Sequence, residues 1–251
     1  MATLRELVDY TNSLLAIGRF QDYCPNGLQV EGRPNVGLLV SGVTASLALI
    51  EVAVAAGADA VLVHHGYFWK GEDPCITGMK RRRLQRLLGT QTSLLAYHLP
   101  LDAHPGLGNN AQLGRVLGLE THGTLGGEEI GLLHFAYAEP AMDAAVLTER
   151  IRSALGRAPL HIPGACEIIR SVGWCTGAAQ SLIEEASQHG LDAYISGEIS
   201  EQTVHIAREC GIHYFAAGHH ATERFGVQAL GDHLAERFSI EHRFIDIENP
   251  V

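Results

Sequence analysis

Apolar positions between residues 36 and 66 fall into three blocks that read as strand, helix and strand. Val36-Gly-Leu-Leu-Val40 is a short apolar run, Ala45 to Ala56 is a strongly apolar helix, and Val61-Leu62-Val63 leads into His64. Gly57 closes the helix, at the position where left-handed backbone is usual. A helix joining two strands this closely predicts a parallel pair with a right-handed crossover. Strands with so little polar alternation are buried on both faces, so helices are expected on either side of the sheet.

The same order returns between residues 171 and 198, with a helix from Ala179 to His189 and a strand after Gly190. Gly57-Ala-Asp-Ala and Gly190-Leu-Asp-Ala take equivalent places, which aligns His64 and His65 with Gly197 and Glu198. The next strands also match, Leu94-Leu-Ala-Tyr-His98 against His213-Tyr-Phe-Ala-Ala-Gly218. We read this as an internal duplication within an α/β fold of two similar halves with mainly parallel sheets. The polar, glycine-rich stretch 120–130 is the expected boundary, giving halves of 1–125 and 126–251. An amphipathic helix carries Leu4, Leu7, Val8, Leu14 and Leu15; another runs through Leu113, Val116 and Leu117, with Asn109 and Asn110 as its caps. Leu132 to Tyr137 reads as a strand, Met142 to Leu155 as a helix, and 156–168, with Pro159 and Pro163, as a loop. A C-terminal helix with Val227, Leu230 and Leu234 on one stripe is expected to pack back on the first half.

Composition narrows the function classes. The chain has 251 residues, 46% of them hydrophobic, and no uninterrupted apolar run long enough to span a membrane. The N-terminus lacks the basic start and apolar block of a signal peptide. Five cysteines form no Cys-x-x-Cys spacing, so a disulfide framework is not expected and a reducing cytoplasm is the simplest location. A net charge of −10 argues against general nucleic-acid binding. One basic cluster, Lys80-Arg81-Arg82-Arg83 with Arg86, reads either as a solvated helix face or as an anion-binding wall. Histidine outnumbers tyrosine 14 to 7, which directs the search for chemistry to ligands.

Three histidine-bearing motifs follow predicted strands: His64-His65-Gly66, His98-Leu-Pro-Leu-Asp102 and His219-His-Ala-Thr-Glu223. Ligands in open parallel sheets gather outside the carboxyl ends of strands, so the three are expected to converge on a metal site in a cleft between the halves. Adjacent side chains on a strand point to opposite sides unless the chain bends, which leaves His64 and His65 open to either arrangement. Stepping back from Val227 along the last helix puts Glu223, then His219, on its inward stripe. A carboxylate facing inward needs a compensating partner, and a metal ion supplies one. Imidazole and carboxylate ligands without thiolate suit zinc, iron, manganese or nickel.

Taken together, His64-His-Gly-Tyr-Phe-Trp-Lys-Gly-Glu72, His98-Leu-Pro-Leu-Asp102-Ala-His104 and Gly218-His-His-Ala-Thr-Glu223-Arg-Phe-Gly226 resemble the Nif-three-like family of dinuclear metal proteins. Its members carry the description GTP cyclohydrolase I type 2 homolog. The resemblance runs from about Leu4 to the C-terminus, and the length matches the compact bacterial form. It implies two divalent ions per subunit, one held by His65 and Asp102, the other by His64 and His219, with Glu223 bridging. It also implies a ring-shaped homohexamer with the sites facing an internal cavity. His98, Glu198 and His220 are candidates for orienting ligands or handling protons. Asn26-Gly27-Leu28 matches a further family segment and reads locally as a turn. The expected activity is metal-dependent hydrolysis of a nucleotide-like or heterocyclic small molecule, possessing a phosphate if the basic cluster takes part. The alternative is a metal-binding or regulatory protein without turnover.

Overall fold

The computed structural model describes residues 1–126 and 131–251; the end of the expected boundary segment, residues 127–130, lies outside the described residues. The chain divides into two compact units, Met1–Gly108 with Gly226–Glu248 and Asn109–Phe225 with Asn249–Val251.

The first unit is built on a five-stranded sheet in the order Glu241–Phe244, Leu38–Thr44, Ala60–His65, Ser93–Ala96, Gly27–Val30. The first four strands are parallel and Gly27–Val30 adds antiparallel at the edge. Alternation along these strands divides their side chains between two cores. Val40, Val61, Val63 and Leu94 pack with Leu49, Ile50 and Ala53 of helix Leu47–Ala55 and with Leu84 and Leu87 of helix Gly78–Thr90. Leu39, Leu62 and Leu95 share the opposite core with Leu4 and Leu7 of helix Leu4–Leu14 and with Val227, Leu230 and Leu234 of helix Arg224–Phe238. Each such side chain, fully buried, contributes about 1.5–3 kcal/mol relative to exposure. Helix Leu4–Leu14 starts where Thr3 accepts the Glu6 N–H and Glu6 reaches back to the Thr3 N–H, a reciprocal cap.

In the second unit the described residues form a six-stranded sheet in the order Gly123–Leu125, Leu133–Met142, Ile169–Cys175, Ala193–Ser196, His213–Ala216, Leu160–Ile162. Ile169–Cys175, Ala193–Ser196 and His213–Ala216 are parallel, with antiparallel strands on both sides. Val172, Trp174, Ile195 and Phe215 pack with Leu113, Leu147 and Ile151, whereas Tyr194 and Tyr214 face Ile183, Ala186 and Ala207. Both units are thus sheets covered on two faces.

The duplication is visible in the strand order. Three parallel strands followed by one antiparallel edge occur in each unit, joined by helices at matching places. The equivalent aspartates repeat as well. Asp59 Oδ2 accepts the Gly37 and Leu38 N–H groups at 2.8 and 3.1 Å, and Asp192 Oδ2 accepts those of Arg170 and Ser171 at 2.7 and 2.9 Å.

Three local expectations differ from the structure. The segment 156–168 is not all loop: Leu160–Ile162 pairs with His213–Ala216 as an edge strand, the place in a sheet where flanking prolines are tolerated. The helix expected from Ala179 opens as a 3-10 turn, Gln180–Leu182, before Ile183–Gln188. Asn110 is a cross-brace within the second unit, its Oδ1 accepting the Thr176 N–H at 2.9 Å and its carbonyl accepting the Trp174 Nε1–H at 2.8 Å.

The last strand of the first unit is pinned by a short polar chain. Ser41 Oγ lies 2.7 Å from His242 Nε2, and His242 Nδ1 lies 2.7 Å from Asp232 Oδ1. Among the described residues no disulfide forms, and no helix is long and apolar enough to cross a membrane.

Burial pushes the Asp59 carboxyl up, but the Gly37 and Leu38 N–H groups and the Arg33 guanidinium outweigh it and hold Asp59 below the ordinary carboxylate value. Such a group contributes stability above its unfolded pKa of about 3.9 and loses that contribution as pH falls through the lower folded value. Asp59→Ala is therefore expected to cost about 1–3 kcal/mol at pH 7. Denaturant midpoints of the parent and variant should converge as the pH drops below about 4. A gap that stays constant down to pH 2 would assign the loss to packing instead.

Candidate metal centre

In the first unit the strand Ala60–His65 ends at Gly66, where a Cβ would strike Gln29 Oε1 and the Ala96 side chain. The two imidazoles at this end lie side by side, with ring centroids 4.6 Å apart. His64 is fully buried, and its Nδ1 donates to the Tyr97 carbonyl at 2.9 Å. A carbonyl only accepts, so the neutral ring presents its Nε2 lone pair to Asp102 Oδ1, 3.5 Å away. Asp102, itself buried, sits on the short helix Leu99–Ala103. Two lone-pair atoms facing each other in a buried place become favourable with a proton on the ring or with a cation. His65 Nδ1 lies 3.1 Å from Thr44 Oγ1, its neighbour in the strand register.

His98 caps the same short helix. Its Nδ1 lies 2.7 Å from Asp22 Oδ1, and its N–H donates to Asn26 Oδ1 at 2.7 Å. Asp22 Oδ2 accepts from the Leu99 N–H and from Asn26 Nδ2, at 2.9 and 2.8 Å. Burial would push the Asp22 carboxyl up; hydrogen bonds from His98 and Asn26, the His98 charge and the Tyr23 N–H bring it down to about 2. His64, His65 and His98 each offer a ligand atom within 4.8 Å of the others. Asp22, Cys24 and His98 do the same, but burial and then the Asp22 charge push the Cys24 thiol up to about 12, so it stays protonated and a poor ligand at neutral pH. His104 serves its own turn, with Nδ1 accepting the Gly106 and Leu107 N–H groups.

In the second unit the same chemistry recurs on different elements. His219 and Glu223 bracket the short helix His219–Thr222, and a break with φ −106° at Glu223 precedes helix Arg224–Phe238. The expected inward carboxylate is therefore placed by a turn rather than by a continuous helical stripe. Glu223 is 3% exposed, and its Oε2 lies 3.2 Å from His219 Nε2. The other ring nitrogen, Nδ1, lies 2.7 Å from Glu198 Oε1. Burial lowers the His219 pKa, but the Glu223 hydrogen bond and charge, followed by those of Glu198, outweigh it and push His219 up to about 9. Gly177, at φ +65°, passes so close that a Cβ would overlap Glu223 Oε1. The N–H of half-buried His220 donates to the Val251 carbonyl at 3.0 Å.

His64, His65, His98 and Asp102 thus cluster within the first unit, and His219, Glu223 and Glu198 within the second. In both, an imidazole is anchored at Nδ1 by an oxygen and turns Nε2 toward a buried carboxylate. That anchoring is the usual support of a metal-ligating histidine. The donor set of both clusters fits a divalent cation of the zinc, iron, manganese or nickel type. Sequence reasoning missed Asp22 as the His98 anchor, Tyr97 as the His64 anchor through its carbonyl, and Gly177.

The family model for DUF34/NIF3 (NGG1p interacting factor 3) matches residues 2–250. A Pseudomonas aeruginosa protein named GTP cyclohydrolase 1 type 2 homolog is 59% identical over 250 residues, covering 99% of this chain and 98% of its own. An Escherichia coli protein of the same name is 51% identical over 247 residues, 98% of each chain. The solved structure of protein ybgI, of unknown function, matches with a TM-score of 0.96 at 49% identity, over 99% of this chain and 100% of its own. That of a Thermus thermophilus protein matches at 0.91 and 34%, with the same coverage.

Gly177→Ala should add about 1–2 kcal/mol of left-handed strain and displace the Glu223 carboxylate. The expected variant folds, by far-ultraviolet circular dichroism, but retains less zinc or manganese after dialysis than the parent. Full metal content in a folded variant would show that the close approach of Gly177 to Glu223 has no bearing on metal binding.

Proposed function

The chain belongs to the DUF34/NIF3 family, and on that footing we propose that it is a metal-dependent hydrolase acting on a nucleotide-like or heterocyclic small molecule. His64, His65 and Asp102 of the first unit and His219 and Glu223 of the second would hold two divalent ions. The observation that carries this reading is the repeated pair, His64 with Asp102 and His219 with Glu223, in which an imidazole nitrogen and a carboxylate oxygen face each other. Divalent ions, if held there, would supply Lewis acidity and lower the pKa of a bound water toward neutral.

The chain's own groups have separate tasks in this proposal. The Tyr97 carbonyl and the Glu198 carboxylate fix the tautomers of His64 and His219, so that Nε2 is the binding atom of each. His98, held by Asp22, is positioned to move a proton between solvent and the first cluster; Glu198 and His220 are the corresponding candidates in the second. Buried Asp102 and Glu223 compensate the cation charge. The name shared by the curated relatives, GTP cyclohydrolase 1 type 2 homolog, supports hydrolysis of a ring substrate. The ring-shaped homohexamer and the cytoplasmic location belong to the same proposal; light scattering on the purified protein reads the first.

Metal-replete protein screened against nucleotides, cyclic amides and phosphoesters is expected to turn over at least one class, with activity lost to chelator and restored by added metal. Absence of turnover alongside full metal occupancy would favour the reading as a metal-binding protein without catalysis.

The role of Glu223 is tested by metal counts. If its carboxylate serves both ions, Glu223→Ala should fall well below one ion per subunit, against about two in the parent and about one in His219→Ala. Glu223→Gln should lie between, since the amide keeps one acceptor oxygen but loses the charge. A full complement in Glu223→Ala would remove Glu223 from the ligand set.

A further inference from the structure

We propose that Tyr23 and Trp69 form an aromatic clamp that holds a planar heterocyclic ring beside the histidine cluster of the first unit. The inference rests on the substrate class proposed above and assigns the side chains that would recognise the ring. The Trp69 indole lies 5.0 Å from the His98 ring at 84° and 6.0 Å from the His65 ring at 54°. The Tyr23 ring lies 6.5 Å from His98 at 63°. Two aromatic side chains therefore border one group of imidazoles, and neither is spent on a core: Tyr23 is 62% exposed and Trp69 is only half-buried.

The Trp69 ring is held at its indole nitrogen, and Tyr23 is tied through its backbone. Trp69 Nε1 donates to the Gly66 carbonyl at 3.2 Å, and the Trp69 N–H donates to Glu72 Oε2 at 3.1 Å. Glu72 is in turn paired with Lys80 at 3.2 Å. Two residues before Trp69, Gln29 grips Tyr67 from both sides, donating to the Tyr67 carbonyl and accepting the Tyr67 N–H. The Lys70 N–H donates to the Tyr23 carbonyl at 2.6 Å, which ties the two aromatic segments together. Between them Phe68 holds a φ of +65°, a conformation that a non-glycine residue keeps only where its surroundings over-determine it.

A stiff loop that keeps aromatic surface in water next to a polar floor is suited to a ligand with the same two faces. A heteroaromatic ring offers a π-face for Tyr23 and Trp69 and polar edge atoms for the imidazoles. Stacking of this kind is tolerant of which base is bound, so the clamp selects for a ring rather than for a particular ring. A phosphate gains nothing from it, and a sugar, which has no π-face of its own, gains less than a base.

The test compares AMP and GMP with ribose 5-phosphate, which keeps sugar and phosphate but lacks the ring, on metal-loaded full-length protein. The chain has two tryptophans and Trp174 is fully buried, so a ligand-dependent change in emission reads Trp69. AMP and GMP are expected to quench it saturably and ribose 5-phosphate is not. Tyr23→Leu should weaken nucleotide binding about tenfold, and Tyr23→Phe should restore it to within about twofold, with metal content unchanged in both. Equal binding of ribose 5-phosphate and the nucleotides, no quenching by either nucleotide, or unaltered affinity in Tyr23→Leu would each overturn the proposal. So would a Tyr23→Leu protein that changes oligomeric state while binding nucleotide normally, because the ring would then serve a contact between copies. Quenching without turnover of any nucleotide, cyclic amide or phosphoester would retire the hydrolase reading and leave the clamp standing; turnover of a nucleotide or cyclic amide without quenching would do the reverse.

Discussion

In each unit a single aspartate sets the parallel register on which everything at the far end of the sheet depends. Asp59 and Asp192 accept two backbone N–H groups from the head of the neighbouring strand, just where their own strand begins. With Leu39 thereby opposite Ala60, the ladder runs forward to place Thr44 opposite His65. In the second unit Val172 opposite Ala193 leads in the same way to Cys175 opposite Ser196. A slip of one residue would exchange the two faces of the strand and turn His64 away from Asp102. The conformational partner of this interaction is the glycine two residues earlier, Gly57 at φ +81° and Gly190 at φ +70°, which lets the chain leave its helix and re-enter the sheet.

Much of this was legible in the sequence because it is periodic. The apolar runs at 38–44, 60–65 and 93–96, their repetition after residue 169, and the paired Gly-x-Asp turns all follow from local rules. The inward position of Glu223 was also legible, although its cause is a break after Thr222 and not the helix stripe that suggested it. What stayed hidden depends on contacts distant in sequence or on backbone atoms. The Tyr97 carbonyl that orients His64 carries no side-chain signature. Asp22 looks like any surface acid until its bonds to His98 and Leu99, 76 and 77 residues away, are seen. Leu160–Ile162 was lost between two prolines because an edge strand of three residues has too little alternation to register.

The duplication explains why the two clusters differ in composition. Aligning the repeats sets His64 and His65 against Gly197 and Glu198. Gly197 has no room for a side chain, since a Cβ would meet the Gly177 carbonyl and the His219 backbone at 2.6 and 2.7 Å. The strand end that supplies two imidazoles in the first unit therefore supplies close packing and one anchoring carboxylate in the second. The second unit's own imidazole comes from the following strand, after Gly218, the position that mirrors His98 and its helix. One scaffold thus carries nitrogen-rich chemistry at one copy and carboxylate-rich chemistry at the other, with no change in the order or sense of the four strands that the copies share.

The polar chain at Ser41, His242 and Asp232 has a consequence for how reactive centres are told apart from struts. Its hydroxyl–imidazole and imidazole–carboxylate spacings, both 2.7 Å, are those of a serine hydrolase's nucleophile, base and orienting acid. Yet Ser41 has no exposed surface, and Gly231 presses so closely on His242 that a Cβ there would overlap the ring. No acyl group can approach such a hydroxyl, and its activation would have nothing to attack. Distances alone would assign this chain a nucleophilic serine; accessibility makes the same three residues a rivet holding a parallel edge strand.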